Sequence, residues 1–124
     1  MTQVARKLFR VLLRRHERLC RDLGVTPETV TDELIKRCTI YYGDLRKAAK
    51  VSIPPIGIGR YLDEIGEYCE NKAFPLLNAL AISKTFEKPG LGYEGAHGGN
   101  RRLWHKQVRE CIAFGGYDYD KIAE

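Results

Sequence analysis

The sequence predicts a mainly α-helical single domain with a small β component. Three observations carry that expectation. Apolar residues recur at spacings of three and four through several segments, which is the period of a helix with one buried face. Runs rich in strand formers are few and short. The chain has 124 residues, of which 44% are hydrophobic and 30% charged, which suits one domain (1–124) burying a modest core. No apolar stretch approaches the roughly 18 residues a membrane span requires. The opening segment alternates charged and apolar residues instead of forming the apolar block of a signal peptide. A cytoplasmic location without membrane association is therefore expected.

The elements follow in order. From Gln3 to Leu23, Ala5, Leu8, Phe9, Leu12, His16, Leu19, Cys20 and Leu23 share one helical face, and Gly24 supplies a stop. Thr26-Pro27-Glu28 has the form of a cap, a first-position proline and a first-turn acid, predicting a short helix to about residue 36 or 37. Thr39 to Leu45 is β-rich, then passes into a helix over Gly43–Lys50. Ser52-Ile53-Pro54-Pro55 breaks the chain, and a helix from Pro55 to about Glu70 is expected to bury Ile58, Tyr61, Leu62, Ile65 and Cys69. Pro75 to Ile82 is an apolar run of strand length. Ser83 to Gly99 is rich in turn residues. Asn100 can cap a last helix, Arg101 to Phe114, with Leu103, Trp104, Val108, Cys111 and Ile112 inward. Two short helices across a turn, followed by a small hairpin, is the plan of a winged helix-turn-helix, here with an extra basic N-terminal helix over residues 1–23 and a core over 39–114.

Charge is concentrated at one end. Residues 1–23 hold seven Lys/Arg and two acids, whereas the remaining residues hold 14 of each. Lys7, Arg10, Arg14, Arg18 and Arg21 recur at helical spacing opposite the apolar stripe. A row of cations on one helix face suits a phosphate backbone, where each contact releases condensed counterions. A solvated face that aids solubility, or a helix lying on anionic lipid, would carry the same pattern. The first helix lacks tryptophan and has only a moderately bulky apolar face, which ranks lipid below nucleic acid.

Four segments also resemble a known family. Ile40-Tyr41-Tyr42-Gly43-Asp44-Leu45, then Ile58-Gly59-Arg60-Tyr61-Leu62, then Pro75 to Ile82, then Gly92-Tyr93-Glu94-Gly95 are similar, in order, to the C-terminal winged-helix domain of O6-alkylguanine-DNA alkyltransferases and alkyltransferase-like proteins. The resemblance covers about residues 39–114. It implies that Tyr42-Gly43 opens the first helix of a helix-turn-helix, with Tyr42 on a phosphate. It further implies that Gly59 lies in the recognition helix and that the glycine loop closes a pocket. The family's alkyl-accepting Pro-Cys-His-Arg motif falls near Ala79-Leu80-Ala81-Ile82, where there is no cysteine, so this chain lacks the nucleophile for alkyl transfer. The arginine that fills the space of a flipped base maps onto Ile56, an apolar wedge. The stretch between Gly59 and Pro75 is also longer than in the family.

The helix entered by Pro54 to Arg60 is the candidate recognition element. Gly57 and Gly59 each cost about 1 kcal/mol against alanine inside a helix, which makes sense where another backbone, of DNA or of a neighbouring helix, comes close. Ser52, Ile56 and Arg60 would reach a groove, although Asp63, Glu64, Glu67 and Glu70 make the second half of that helix acidic. Arg101 and Arg102, with His97, Asn100 and His105, form a second candidate phosphate corner at a helix start. Gly90-Leu91-Gly92-Tyr93-Glu94-Gly95 matches a dinucleotide fingerprint but has no strand directly before it. Cys20, Cys69 and Cys111 fall at apolar helical phases as free buried thiols, and their spacing with Cys38 is not that of a zinc site. A Cys111–His105 dyad lacks an orienting third group, and the His97–His105 region would be the site of a hydrolase. The expectation is thus a non-enzymatic nucleic-acid-binding module, DNA before RNA, with no catalytic residues, metal or cofactor. The alternatives are a protein-interaction module (a small inhibitor or adaptor on an acidic protein surface) and alkyltransferase-like recognition of a damaged base without catalysis.

Overall fold

The computed structural model describes residues 1–54, 57–84 and 101–120, with the side chains of Arg101 and Arg102 outside that set. Helix α1 spans Gln3–Leu19, α2 Asp32–Cys38, α3 Tyr42–Ala49, α4 Ile58–Asn71 and α5 Arg101–Ala113. Strands β1 (Ile40–Tyr41) and β2 (Ala81–Ile82) make a two-stranded sheet.

Helix α1 is the centre of the molecule. Ala5, Leu8, Leu12, Leu13 and His16 are fully buried on one face, packed against α3, α4 and the 3₁₀ turn Leu77–Leu80. Thr2 caps α1 by accepting from the Ala5 amide at 3.2 Å. Its own amide and hydroxyl donate to the two carboxylate oxygens of Glu64 at 2.8 Å, clasping the start of α1 to α4. The helix stops at Leu19, a turn short of the predicted Leu23. Gly24 then takes φ +65°, the left-handed conformation that glycine adopts without strain.

The predicted helix after Pro27 divides in two. Pro27–Thr29 is a single 3₁₀ turn, Val30 is extended and buried, and α2 begins only after Thr31, whose hydroxyl accepts from the Leu34 amide at 3.2 Å. Burying Val30 and capping at Thr31, with Asp32 and Glu33 in the first turn, outcompetes a helix continued from Pro27.

Two β expectations are corrected. Most of the apolar run from Pro75 is not a strand: Leu77–Leu80 is a 3₁₀ turn, and only Ala81–Ile82 extends. A run that is apolar throughout has no period to separate the two forms. Here every residue from Leu76 to Ile82 is buried, and the indole N–H of Trp104 on α5 donates to the Ala79 carbonyl at 2.9 Å, fixing the turn. Strands β1 and β2 pair in parallel, Ile40 with Ala81 and Tyr41 with Ile82, so they do not form a hairpin. Parallel pairing follows from the intervening α3 and α4, which carry the chain back to the same edge. A wing drawn from residues 85–100 lies outside the described residues.

The C-terminal segment folds back over α1. Tyr117 is buried against Phe74, Phe114 and His16, and its hydroxyl donates to the Pro75 carbonyl at 2.6 Å.

Candidate nucleic-acid interface

The basic face of α1 is a real surface. Arg6, Lys7, Arg14 and Arg18 are exposed, Arg10 is half-buried, and none of these five has an ion-pair partner among the described residues. Arg6 shares the face but is missed by the spacing that links Lys7, Arg10, Arg14, Arg18 and Arg21. From Arg6 to Arg18 the stripe runs about 18 Å at 1.5 Å per residue. Because the opposite face is the core, the stripe is held on a rigid helix that cannot turn it inward.

Two of the seven N-terminal cations are engaged elsewhere. Arg21 is exposed but bonds Glu17 and Asp22, each at 3.1 Å, and Asp22 beside it holds its guanidinium more firmly charged. Arg15 lies off the stripe. Its Nε donates to the Cys38 carbonyl at 2.8 Å, and its Nη2 to the carbonyls of Arg37 at 3.1 Å and Thr39 at 2.8 Å. Those are carbonyls at the C-terminal end of α2 and the start of β1, left without helical partners, so Arg15 ties α1 to that end. Burial, with Arg18 nearby, lowers its affinity for its proton.

His16 is the buried polar group of α1. Its Nε2–H donates to the Cys111 carbonyl at 2.6 Å, which leaves Nδ1 to accept from the Tyr119 hydroxyl at 2.8 Å. Both ring nitrogens are occupied, so His16 and Cys20, one turn apart, do not offer a paired metal site. Burial pulls the imidazole down to about 4 and keeps it neutral.

Tyr42 is half-buried and packs against the core at the β1–α3 junction. Ser52 is exposed on the segment that follows α3, which Arg46 holds by donating to the Ile53 carbonyl at 2.6 Å. Ile56 lies outside the described residues, as do the glycine loop, His97 and Asn100. Arg101 and Arg102 open α5 in backbone alone. Arg60 is exposed, with its guanidinium over the Tyr61 ring at 4.8 Å.

The two helix-start glycines, Gly43 and Gly59, face open space: a Cβ built on either meets nothing within 4 Å. The idea that a neighbouring helix presses on Gly59 is therefore excluded among the described residues. Only the first turn of α4 is free of acids. Beyond it Glu67 and Glu70 are exposed, while Glu64 is taken by Thr2. That clasp fixes Glu64, one turn after Arg60, at the start of α1. The structure does not place Ser52 or Tyr42 on the α1 face.

The cysteines are free, and all four are buried. Burial pushes the Cys69 thiol up to about 11 and that of Cys111 further still, so neither is a nucleophile near neutral pH. Cys111 sits 3.4 Å from the Tyr117 hydroxyl, whereas His105 faces Asp32 on α2 at 3.7 Å. The Cys111–His105 dyad is thus not assembled. No described helix is long and apolar enough to cross a membrane.

No family model, curated protein or solved structure matches the chain.

Proposed function

We propose that this chain is a non-enzymatic nucleic-acid-binding module, preferring DNA to RNA, that lays the outer face of α1 along a phosphate backbone. The observation that supports it is the stripe of five cations without an ion-pair partner among the described residues, on a helix whose other face is the core, in a chain otherwise neutral in charge. In this reading α3 and α4 act as the helix-turn-helix pair of a winged-helix-like domain. The open backbones at Gly43 and Gly59 are where a duplex would approach, and Tyr42, Ser52, Ile56, Arg60, Arg101 and Arg102 are its remaining contacts. A B-form major groove admits a helix end, which an A-form RNA groove does not.

Fluorescence anisotropy against labelled duplex DNA, single-stranded DNA and RNA at two salt concentrations tests this. Micromolar binding that weakens with salt is expected. The triple variant Arg10→Ala/Arg14→Ala/Arg18→Ala should reduce the slope of log affinity against log salt by about 2–3, near 0.9 per lost phosphate contact. A folded protein that binds none of the three probes overturns the proposal.

A second reading, a small inhibitor or adaptor that grips an acidic protein surface with the same stripe, is favoured by the exposed acids Glu67 and Glu70 on α4, which repel phosphate. Adding a duplex with a single alkylated guanine to the probes separates alkyltransferase-like recognition of a damaged base from general backbone binding, because only the former discriminates between the two duplexes.

A further inference from the structure

A cleft of about 620 Å³ lies between α2, the β1–α3 junction and α5, with Arg15 of α1 in its wall. Its volume is within the roughly 300–1,000 Å³ typical of small-molecule sites. One wall is the face of α2 that carries Asp32, Ile35 and Lys36 at spacings of three and four, with Thr39 just beyond. Ile40 of β1, Ile82 of β2 and Trp104 of α5 supply the apolar surface.

The charged groups are arranged by end. At the C-terminal end of α2, Arg15 is oriented by the three carbonyls it holds, and its Nη1 has no hydrogen-bond partner among the described residues. Lys36 brings a second cation to the same end. Asp44, in the first turn of α3, faces this cleft as well and has no ion-pair partner among the described residues. At the other end of α2, Asp32 and His105 face each other at 3.7 Å.

This lining selects by charge. A polyanion meets two carboxylates, and a plain hydrocarbon makes no use of the half-buried Arg15 or of the exposed Lys36 and Asp44. A ligand with one anionic group, one cationic group and an apolar body satisfies all of them. We propose that the cleft binds a free α-amino acid with a large apolar or aromatic side chain. Its carboxylate lies between Arg15 and Lys36, its ammonium on Asp44, and its side chain against Ile40, Ile82 and Trp104. Arg15 presents Nη1 to that carboxylate, because its Nε and Nη2 are held by the three carbonyls.

Trp104 is the one tryptophan of the chain, so its fluorescence reports on occupancy of the cleft in the full-length protein. Titration with L-phenylalanine, L-tyrosine and L-leucine is expected to give saturable binding with a Kd below about 1 mM for at least one of them. Calorimetry with 3-phenylpropionate, which lacks the ammonium, and phenethylamine, which lacks the carboxylate, should show affinity at least about tenfold weaker than for phenylalanine. Asp44→Asn and Lys36→Gln are surface changes that leave the fold intact by circular dichroism, and each should weaken the amino acid about as much. The proposal is overturned if no amino acid saturates by about 10 mM, if the analogues bind as well as phenylalanine, if Asp44→Asn leaves affinity unchanged, or if a nucleoside monophosphate is the tighter ligand.

Discussion

Adjacent arginines on α1 do different work, and substitution separates them. Arg14 and Arg18 touch solvent, whereas Arg15 holds three backbone carbonyls at the end of α2. Arg14→Ala should change stability by less than about 0.5 kcal/mol. Arg15→Lys keeps the charge but not the planar fork, and should cost about 1–3 kcal/mol in urea denaturation. His16 makes a second residue-scale prediction. Its imidazole is held near 4 in the folded chain, below its ordinary 6.5, so between those values the unfolded chain takes up a proton that the folded one refuses. The contribution is fully present above about pH 6.5 and is lost as pH falls toward 4, amounting to about 3 kcal/mol over that window. Denaturation midpoints measured from pH 7.5 to 4 should fall more steeply for the natural protein than for His16→Gln. Equal slopes would show that the ring is not held neutral.

At the scale of elements, the open helix starts make the sharpest prediction. Gly59→Ala meets nothing within 4 Å and adopts ordinary helical backbone, so it should stabilise the fold by about 0.5–1 kcal/mol. If a duplex backbone approaches there, the same change should weaken DNA binding in the anisotropy assay; unchanged affinity would remove α4 from the interface. The helices themselves were legible in the sequence wherever one face is apolar and the other wet: α1, α4 and α5 fall within three residues of their predicted limits at all but the C-terminal end of α1. What periodicity did not reveal are the choices made by tertiary contact. Val30 ends the turn after Pro27 because it has a buried place to go, and Leu77–Leu80 curls because Trp104 holds a carbonyl within it. The α1 stripe was legible for the same reason as the helix, and its spacing leaves Arg15 out, but the task of Arg15 was not legible. At spacing alone Arg15 reads as a flank of the basic face, and only the position of the α2 end shows what it serves.

Across the whole molecule, the two chain ends are joined through α1. Tyr119 and the Cys111 carbonyl meet His16 at sequence separations of 103 and 95 residues, and Tyr117 fills the space between Phe74 and Phe114. Truncation after Gly116 removes the Tyr117 ring and the partner of His16 Nδ1 together. It should cost more than about 4 kcal/mol by thermal or chemical denaturation, as do other deletions that combine a cavity with an unpaired buried polar group. That joining also sets an order of events during synthesis. Helix α1 leaves the ribosome before the residues that cover His16, which follow about 5–20 s later at roughly 5–20 residues per second. Until α3, α4 and the Leu77–Leu80 turn emerge, α1 has a cationic side and an uncovered side lined by Leu8, Leu12 and Leu13, so the nascent chain is stickiest well before Tyr119 arrives.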